Sequence, residues 1–174
     1  ATRLSIHLKV NNLNPISISL DNYFIDRDKT PLDEFGHLDY ESICAIDLKR
    51  FNKDLNDLLE GKEVQLPRYN FITGKSEPGE ILQIDENQPI ILEGIHGLNP
   101  MLTASIPDNE KFKIYLSALT QLNLDDHNRI PTTDLRLIRR IVRDNQFRGH
   151  TAEMTIKGWP SVRRGEEKNI FPYQ

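Results

Sequence analysis

The sequence predicts an α/β fold in which helices cover both faces of a mostly parallel β-sheet. Three observations predict it: candidate strands alternate with candidate helices, two strands are almost entirely apolar, and the longer helices carry one apolar side. A chain of 174 residues is long enough to bury a core as one domain.

The N-terminal part of the chain predicts a helix, a strand and a long loop. Leu4 and Leu8, spaced i and i+4, predict a helix over residues 1–10. A polar turn then leads into an apolar strand at 16–20. Residues 26–40 are polar and rich in turn formers, which indicates a loop.

The middle of the chain predicts a capped helix followed by a β-hairpin. Asp47 is a suitable N-cap for a helix that ends at Gly61. The apolar face of this helix consists of Leu48, Phe51, Leu55 and Leu58. Residues 64–71 and 81–84 are the expected arms of the hairpin, with its tip at 74–79.

The remainder predicts two more strands and a helix. Residues 90–93 and 112–116 are candidate core strands, and residues 133–146 have the apolar period of a helix. The single cysteine, Cys44, excludes an internal disulfide framework and suits a reducing cytosol. Because its neighbours are apolar, we expect Cys44 to be a small core residue.

Charge and hydropathy exclude two kinds of partner. The net charge of −4 disfavours general binding to nucleic acid or to an anionic membrane surface. No apolar run in the sequence approaches the length of a membrane span. We therefore expect neither a membrane nor a nucleic acid as a partner.

Two of the apolar strands end in a carboxylate. Asp21 follows the strand at 16–20, and Glu93 closes the strand at 90–93. In open α/β sheets, ligands lie beyond the carboxyl ends of the strands, so both acids are well placed for chemistry. Either acid taken alone could instead be an ordinary turn or strand terminus.

The helix predicted at 133–146 carries a second candidate site. One side of it is apolar and consists of Leu135, Leu137, Ile138, Ile141 and Val142. Within about 100° on the other side lie Arg136, Arg139, Arg140 and Arg143. Asp134 and Asp144 are the only acids in this helix, so a phosphate lid is one interpretation. A solvated amphipathic surface is the other.

Together these features supply three parts of a phosphoryl-transfer site: a proton acceptor, an acid for magnesium and an arginine lid. The fourth part, a phosphate loop with the pattern G-x-x-x-x-G-K-[ST], does not occur in the sequence. Gly74-Lys75-Ser76 has only the end of that pattern and lies in the predicted hairpin, so it is not assigned this role.

Five short motifs occur in order along the chain. They are Ser19-Leu20-Asp21-Asn22-Tyr23-Phe24, Leu38-Asp39-Tyr40, Pro67-Arg68-Tyr69-Asn70-Phe71, Ile91-Leu92-Glu93-Gly94-Ile95 and Arg139-Arg140-Ile141-Val142-Arg143-Asp144. This series resembles the uridine kinase branch of the phosphoribulokinase/uridine kinase family of P-loop kinases, up to about Gly149. Residues 159–166 are similar to a bacterial uridine kinase-like subgroup, whose members are often fused behind a domain like the N-terminal part of threonyl-tRNA synthetase.

The resemblance implies a three-layer P-loop kinase-like domain over residues 1–174, with a substrate arm at about 62–84 and a lid helix region at about 127–150. It also implies that the phosphate loop would precede Ala1 and that further strands and a helix would follow Gln174. We therefore expect a piece truncated at both ends and inactive by itself. An unpaired strand edge would favour pairing, so a homo-oligomer is among the expected assemblies.

The resemblance also implies roles for the matching residues around the nucleoside. Asp21 would accept the proton of the 5′-hydroxyl, with Tyr23 beside the same substrate. Asp39 would bind the ribose hydroxyls. Tyr69 and Phe71 would pack against the base, although alternating strand packing is an equal interpretation of these two aromatic residues.

Around the phosphates, the implied cofactors are ATP and Mg²⁺. Glu93 would hold Mg²⁺ directly or through water. Arg143 and Arg148 would neutralise the transferring phosphoryl group and so contact ATP, whereas Arg140 would reach the ribose side. The remaining two lid arginines, Arg136 and Arg139, match less well, and either could simply be solvated.

Two departures from the family pattern fall on the base pocket. Gly74 or a close neighbour stands where uridine-cytidine kinases carry a base-reading histidine. His150, which we retain as a candidate substrate-binding residue, stands where they carry a second arginine after the lid helix. Uridine, cytidine and a deoxynucleoside such as thymidine all remain open as substrates.

The expected function is ATP-dependent phosphorylation of the 5′-hydroxyl of a pyrimidine nucleoside in the cytoplasm, with the nucleoside and ATP as partners. One alternative is a non-catalytic kinase-like module that binds RNA or a regulator. Another is a kinase of the same family for thymidine, a sugar phosphate or pantothenate.

Overall fold

The computed structural model describes residues 1–116 and 123–174. Its main elements are α1 (Thr2–Val10), β1 (Ile16–Ser19), α2 (Leu48–Leu59), β2 (Val64–Asn70), β3 (Lys75–Leu82), β4 (Ile90–Glu93), α3 (Thr132–Phe147) and α4 (Ala152–Asn169). Short 3₁₀ helices at Leu20–Tyr23 and Ile43–Ala45 follow β1 and precede α2. None of the described helices has the length and apolar character needed to cross a membrane.

A parallel strand pair forms the base of the candidate site. β1 pairs with β4 in a register that matches Ile16 to Ile90 and Ser19 to Glu93. Ile18 is buried, as is Leu20 at the start of the following 3₁₀ helix. The pairing confirms the predicted α/β class and brings the carboxyl ends of both strands to one edge.

Helix α2 forms as predicted and packs into the core. The Asp47 carboxylate accepts a hydrogen bond of 2.9 Å from the backbone N–H of Arg50, which satisfies one of the free donors at the helix start. The buried side of the helix consists of Phe51, Leu55 and Leu58. The chain leaves the helix at Gly61, whose φ of +75° is a conformation that glycine adopts without strain.

The predicted hairpin is present, but its turn lies elsewhere. β2 pairs antiparallel with β3, and Asn70 lies opposite Lys75, so the turn spans residues 71–74 rather than 74–79. The return arm is accordingly longer than the predicted 81–84. Gly79 lies inside β3, where an added Cβ would come within 2.8 Å of the Leu66 carbonyl oxygen. The glycine that suggested a turn therefore serves close strand packing.

Two sequence-based expectations are wrong. Residues 112–116 do not form a strand, and Phe112 is 90% exposed. Apolar character alone does not make a strand, because a strand also needs a neighbour for its backbone groups. Cys44 is exposed instead of buried, since the 3₁₀ helix around it turns Ile43 and Ala45 into the core.

Two consecutive α-helices, α3 and α4, follow in the C-terminal part of the chain. α3 has the predicted extent within one residue at each end and packs against α4, which the sequence pattern did not predict. Gly158 and Pro160 lie inside α4 and obscure its helical period, whereas its start is capped by Thr151, which accepts a hydrogen bond from the Met154 backbone N–H. On α3, Ile138 and Val142 of the apolar side are half exposed.

A glycine in α4 allows this helix to approach the loop that carries Asp39. An added Cβ on Gly165 would lie 2.5 Å from the Cβ of Glu41, whereas one on Gly158 would meet nothing within 4 Å. We expect Gly165→Ala to lower the free energy of unfolding by about 1–3 kcal/mol, the usual cost of overpacking.

The matched control is Gly158→Ala in the same helix. It should raise the free energy of unfolding by about 0.5–1 kcal/mol, because alanine is the better helix former. Urea denaturation of both variants of the full-length protein measures the difference. Shifts of the same sign in the two variants would contradict the close packing at Gly165.

Candidate active site

The two strand-end carboxylates lie side by side. Asp21 is in the 3₁₀ helix directly after β1, and Glu93 is the last residue of β4, in register with Ser19. Partial burial raises the pKa of Asp21 above its ordinary value of 3.8, the nearby Arg148 guanidinium opposes the rise, and the Glu93 charge adds to it. A carboxyl group with a raised pKa is a better proton acceptor.

Arg148 connects Asp21 to the hairpin. Its Nη2 lies 3.3 Å from Asp21 Oδ2, and its guanidinium carbon lies 4.1 Å from the centre of the Phe71 ring. The side chain is mostly buried, and burial together with the neighbouring Arg143 lowers the pKa of Arg148. This one residue therefore joins the predicted proton acceptor to the predicted substrate arm.

A buried carboxylate that the sequence analysis did not assign lies between the lid arginines. Asp144 Oδ1 is 3.0 Å from Arg143 Nε and 3.5 Å from Arg148 Nη1. Asp144 Oδ2 is 3.4 Å from Arg140 Nε. The spacing of Asp144, four residues from both Arg140 and Arg148, is a signal present in the sequence.

The loop after residue 38 contacts both α3 and α4. Asp39 Oδ1 accepts a hydrogen bond of 3.1 Å from the backbone N–H of Glu41, which fixes the turn. Glu41 is buried, and its Oε1 accepts a hydrogen bond of 3.2 Å from Arg140 Nη1. Burial raises the pKa of Glu41, and the charge of Arg140 opposes the rise. No sequence signal identified Glu41.

The predicted base-binding aromatic residues form a cluster with two neighbours. The rings of Tyr69 and Phe71 are 5.0 Å apart, and Phe24 lies 5.6 Å from Tyr69 and 6.1 Å from Tyr40. Tyr69 is buried, and its hydroxyl lies near Arg27 but makes no well-formed hydrogen bond within the described residues. The aromatic cluster thus contains one buried hydroxyl.

The structure does not place Tyr23 where we expected it. Its side chain is only 2% exposed, its ring packs edge-on against Phe51, and its hydroxyl donates a hydrogen bond of 3.2 Å to Asp54. A 3₁₀ helix has three residues per turn, so residues two positions apart point in different directions. Asp21 therefore faces the site, whereas Tyr23 faces the core. Tyr23 is therefore a core residue that orients Asp54.

We expect Tyr23→Phe to lower the free energy of unfolding by about 1–3 kcal/mol, because it removes a donor from a buried carboxylate. Turnover should stay near the wild-type value. Chemical denaturation and steady-state kinetics on the full-length protein measure both effects. A raised nucleoside KM with unchanged stability would instead place Tyr23 against the substrate.

The other lid residues are less closely tied to Asp21. Arg136 forms an ion pair with Glu166 of α4, and Arg139 is exposed. His150 is half-buried after α3, where its backbone N–H donates to the Asp144 carbonyl oxygen. A cavity of about 390 Å³ lies between α3 and α4. It is lined by Arg136, Arg139, Arg140, Arg143, Trp159 and Glu166.

The donor set is suited to magnesium shared with a phosphate. No group of three or more potential metal-ligating side chains occurs in residues 1–116 and 123–174. Glu93 presents an exposed carboxylate beside Asp21. Because Mg²⁺ is commonly held by one or two carboxylates, waters and substrate phosphates, these residues fit such an ion.

Comparison with known proteins identifies the family to which the chain belongs. Residues 16–173 match the model of the phosphoribulokinase/uridine kinase family. A uridine kinase from Ligilactobacillus salivarius is 30% identical over 142 residues, which is 82% of this chain and 59% of that protein. A uridine kinase from Lactobacillus helveticus is 29% identical over 86% of this chain and 65% of its own length.

The fold comparison points the same way. A solved structure from Silicibacter sp. TM1040, described as a candidate fructose transport system kinase, superimposes with a TM-score of 0.57. It shares 12% sequence identity and covers 97% of this chain and 78% of its own, so it supports the P-loop kinase-like fold alone. With the family match over nearly its whole length, the chain belongs to the phosphoribulokinase/uridine kinase family.

Proposed function

We propose that the full-length protein transfers a phosphoryl group from ATP to the 5′-hydroxyl of a pyrimidine nucleoside of the uridine or cytidine type. The observation that carries this proposal is the position of Arg148, which contacts Asp21 on one side and stacks on Phe71 on the other. A phosphate-neutralising group, a proton acceptor and an aromatic surface are thereby adjacent. The uridine kinases among the relatives support the same reaction.

Each charged group has a distinct part in the proposed reaction. Asp21 accepts the proton of the attacking hydroxyl, and its raised pKa favours that transfer. Arg143 and Arg148 neutralise charge on the phosphoryl group as it moves between oxygens. Glu93 would hold Mg²⁺, which would supply positive charge against the charge that develops on the phosphoryl group.

The nucleoside contacts come from the hairpin and the loop opposite. Tyr69 and Phe71 offer ring surface to the base. Asp39 and Arg140 lie on the ribose side, with His150 at the end of the lid. The single cysteine suits the cytoplasm, where we place the reaction.

The RNA-binding alternative has less support, because the lid arginines are largely paired within the chain. Arg136 pairs with Glu166, Arg140 with Glu41, and Arg148 with Asp21. Internal carboxylates therefore neutralise the basic face that would contact a nucleic acid backbone.

The test is a substrate screen on the full-length protein with ATP and Mg²⁺. Uridine, cytidine, thymidine, a sugar phosphate and pantothenate are each supplied, and ADP formation is followed. We expect turnover with at least one pyrimidine nucleoside, and the product should be a monophosphate that carries its phosphate on the 5′-oxygen. Turnover of none of them, together with steeply salt-dependent RNA binding, would reject the kinase proposal in favour of the binding module.

A further inference from the structure

A single buried carboxylate, Asp144, holds three arginines of the lid. Its side chain is 3% exposed, and both of its oxygens are engaged. Arg143 and Arg148 share Oδ1, whereas Arg140 contacts Oδ2. Because the Asp144 carboxylate is almost fully buried beside these guanidinium groups, its contacts lie inside the protein and not with a ligand.

The contacts also determine which arginine nitrogens remain for a phosphate. Arg143 uses its Nε on Asp144, which leaves its two Nη groups to other partners. Arg148 contacts Asp144 through Nη1 and Asp21 through Nη2, so the position of this side chain is set by two carboxylates. Asp144 offsets the mutual repulsion of the three guanidinium groups, so without its charge Arg143 would be held less firmly, whereas Arg148 keeps its contacts with Asp21 and the Phe71 ring.

We propose that Asp144 is a positioning residue, which keeps Arg140, Arg143 and Arg148 together in one arrangement before the phosphate arrives. This inference rests on the proposed kinase function and goes beyond it, because Asp144 touches neither the nucleoside nor the phosphate. Asp144 contributes by preorganisation. The three arginines are brought together against their mutual repulsion when the protein folds, so this free energy is not required during the reaction.

We expect the charge of Asp144 to influence the proton acceptor through the arginines that Asp144 contacts. The charged groups that face Asp21 are Arg148, Arg143 and Arg140 from the lid and Glu93 from β4. Asp144 partly neutralises all three arginines. Removing its charge increases the net positive potential at Asp21, and a positive potential lowers the pKa of a carboxyl group.

The experiment compares Asp144→Asn and Asp144→Glu in the full-length protein. Asparagine keeps the shape but loses the charge, and we expect kcat to fall roughly 10- to 100-fold while each KM changes less than about threefold. The acidic limb of the kcat/KM profile should move to lower pH. Glutamate keeps the charge, so it should retain more activity than asparagine and leave the acidic limb in place.

The matched control is Glu166→Gln. Glu166 is as buried as Asp144 and pairs with Arg136 and Arg163. Arg136 precedes Asp144 by eight residues, which is about 12 Å along α3. We expect Glu166→Gln to lower the melting temperature about as much as Asp144→Asn does. Its kcat and its pH profile should match those of the wild type. A kcat in Asp144→Asn no lower than in this control would overturn the proposal, as would equal losses in the asparagine and glutamate variants.

A readout without catalysis separates this inference from the proposed function. The carboxyl carbon of Asp21 can be titrated by NMR in the wild type and in Asp144→Asn, with Asp21→Asn identifying the signal. We expect a lower pKa of Asp21 in Asp144→Asn whether or not a nucleoside is turned over. If the pKa of Asp21 is the same in Asp144→Asn as in the wild type, the proposed role of Asp144 is rejected. If the pKa shifts but the wild type phosphorylates no nucleoside, only the kinase assignment is rejected.

Discussion

We expect Asp21→Asn in the full-length protein to lower kcat by about two orders of magnitude or more, the usual effect of removing a general base. Asparagine has nearly the same shape as aspartate but cannot accept the hydroxyl proton. The KM of the nucleoside should change little, because the aromatic cluster and Asp39 are untouched. Near-normal turnover would remove Asp21 from the mechanism.

The same substitution should leave the protein at least as stable at neutral pH. The pKa of Asp21 is raised in the folded state, so the ionised carboxylate costs stability at pH values above the folded pKa. This cost falls as the pH drops towards the unfolded value of 3.8 and disappears below it. Melting temperatures of the wild type and of Asp21→Asn at pH 7 and near pH 3.5 test whether the ionised carboxylate destabilises the fold. Asp28→Asn is the control, because the Asp28 side chain is exposed.

The second large effect is expected for Arg148→Ala. Loss of one preorganised donor to developing charge usually lowers kcat by about 10²- to 10³-fold. Here the alanine also removes the cation stacked on Phe71 at 4.1 Å and the partner of Asp21. The nucleoside KM should therefore rise as well. Steady-state kinetics with varied nucleoside and varied ATP separates the two contributions.

Arg148→Ala should also move the acidic limb of kcat/KM to higher pH. The Arg148 charge lowers the pKa of Asp21, so its removal lets burial raise that pKa further. This shift is opposite to the one expected for Asp144→Asn. Comparing the two variants therefore tests whether Arg148 lowers and Asp144 raises the pKa of Asp21.

The structure offers a close control for Arg148. Arg164 in α4 lies 4.4 Å above the Phe35 ring and 3.4 Å from Asp33, an equivalent pair of contacts away from the site. Arg164→Ala should lower stability by a similar amount with kcat close to that of the wild type. An equal loss of kcat in both variants would show that Arg148 acts only through stability.

Much of the site could be predicted because its residues end regular elements. Apolar runs with a following acid identified Asp21 and Glu93, and the register of β1 against β4 places both at one sheet edge. Helical spacing likewise grouped the arginines of α3 on one side. These features are local, since the period of a strand or a helix follows from residues close in sequence.

Other features depended on contacts between distant parts of the chain. Helix α4 was not predicted, because Gly158 and Pro160 weaken its local signal, while packing against α3 compensates. Residues 112–116 looked like a core strand but are exposed. The direction of Tyr23 depended on the 3₁₀ turn and on Asp54, thirty-one residues away.

Local sequence patterns were enough to predict the α/β class, the strand-end acids, the arginine face of α3 and the resemblance to a kinase family. The pairing of the charges, by contrast, became visible only in the folded chain: Arg148 with Asp21, Arg140 with Glu41, and three arginines with Asp144. Periodicity shows which side of an element a residue occupies, whereas its partner depends on how distant elements pack together, as for Arg148 and Asp21, which are 127 residues apart.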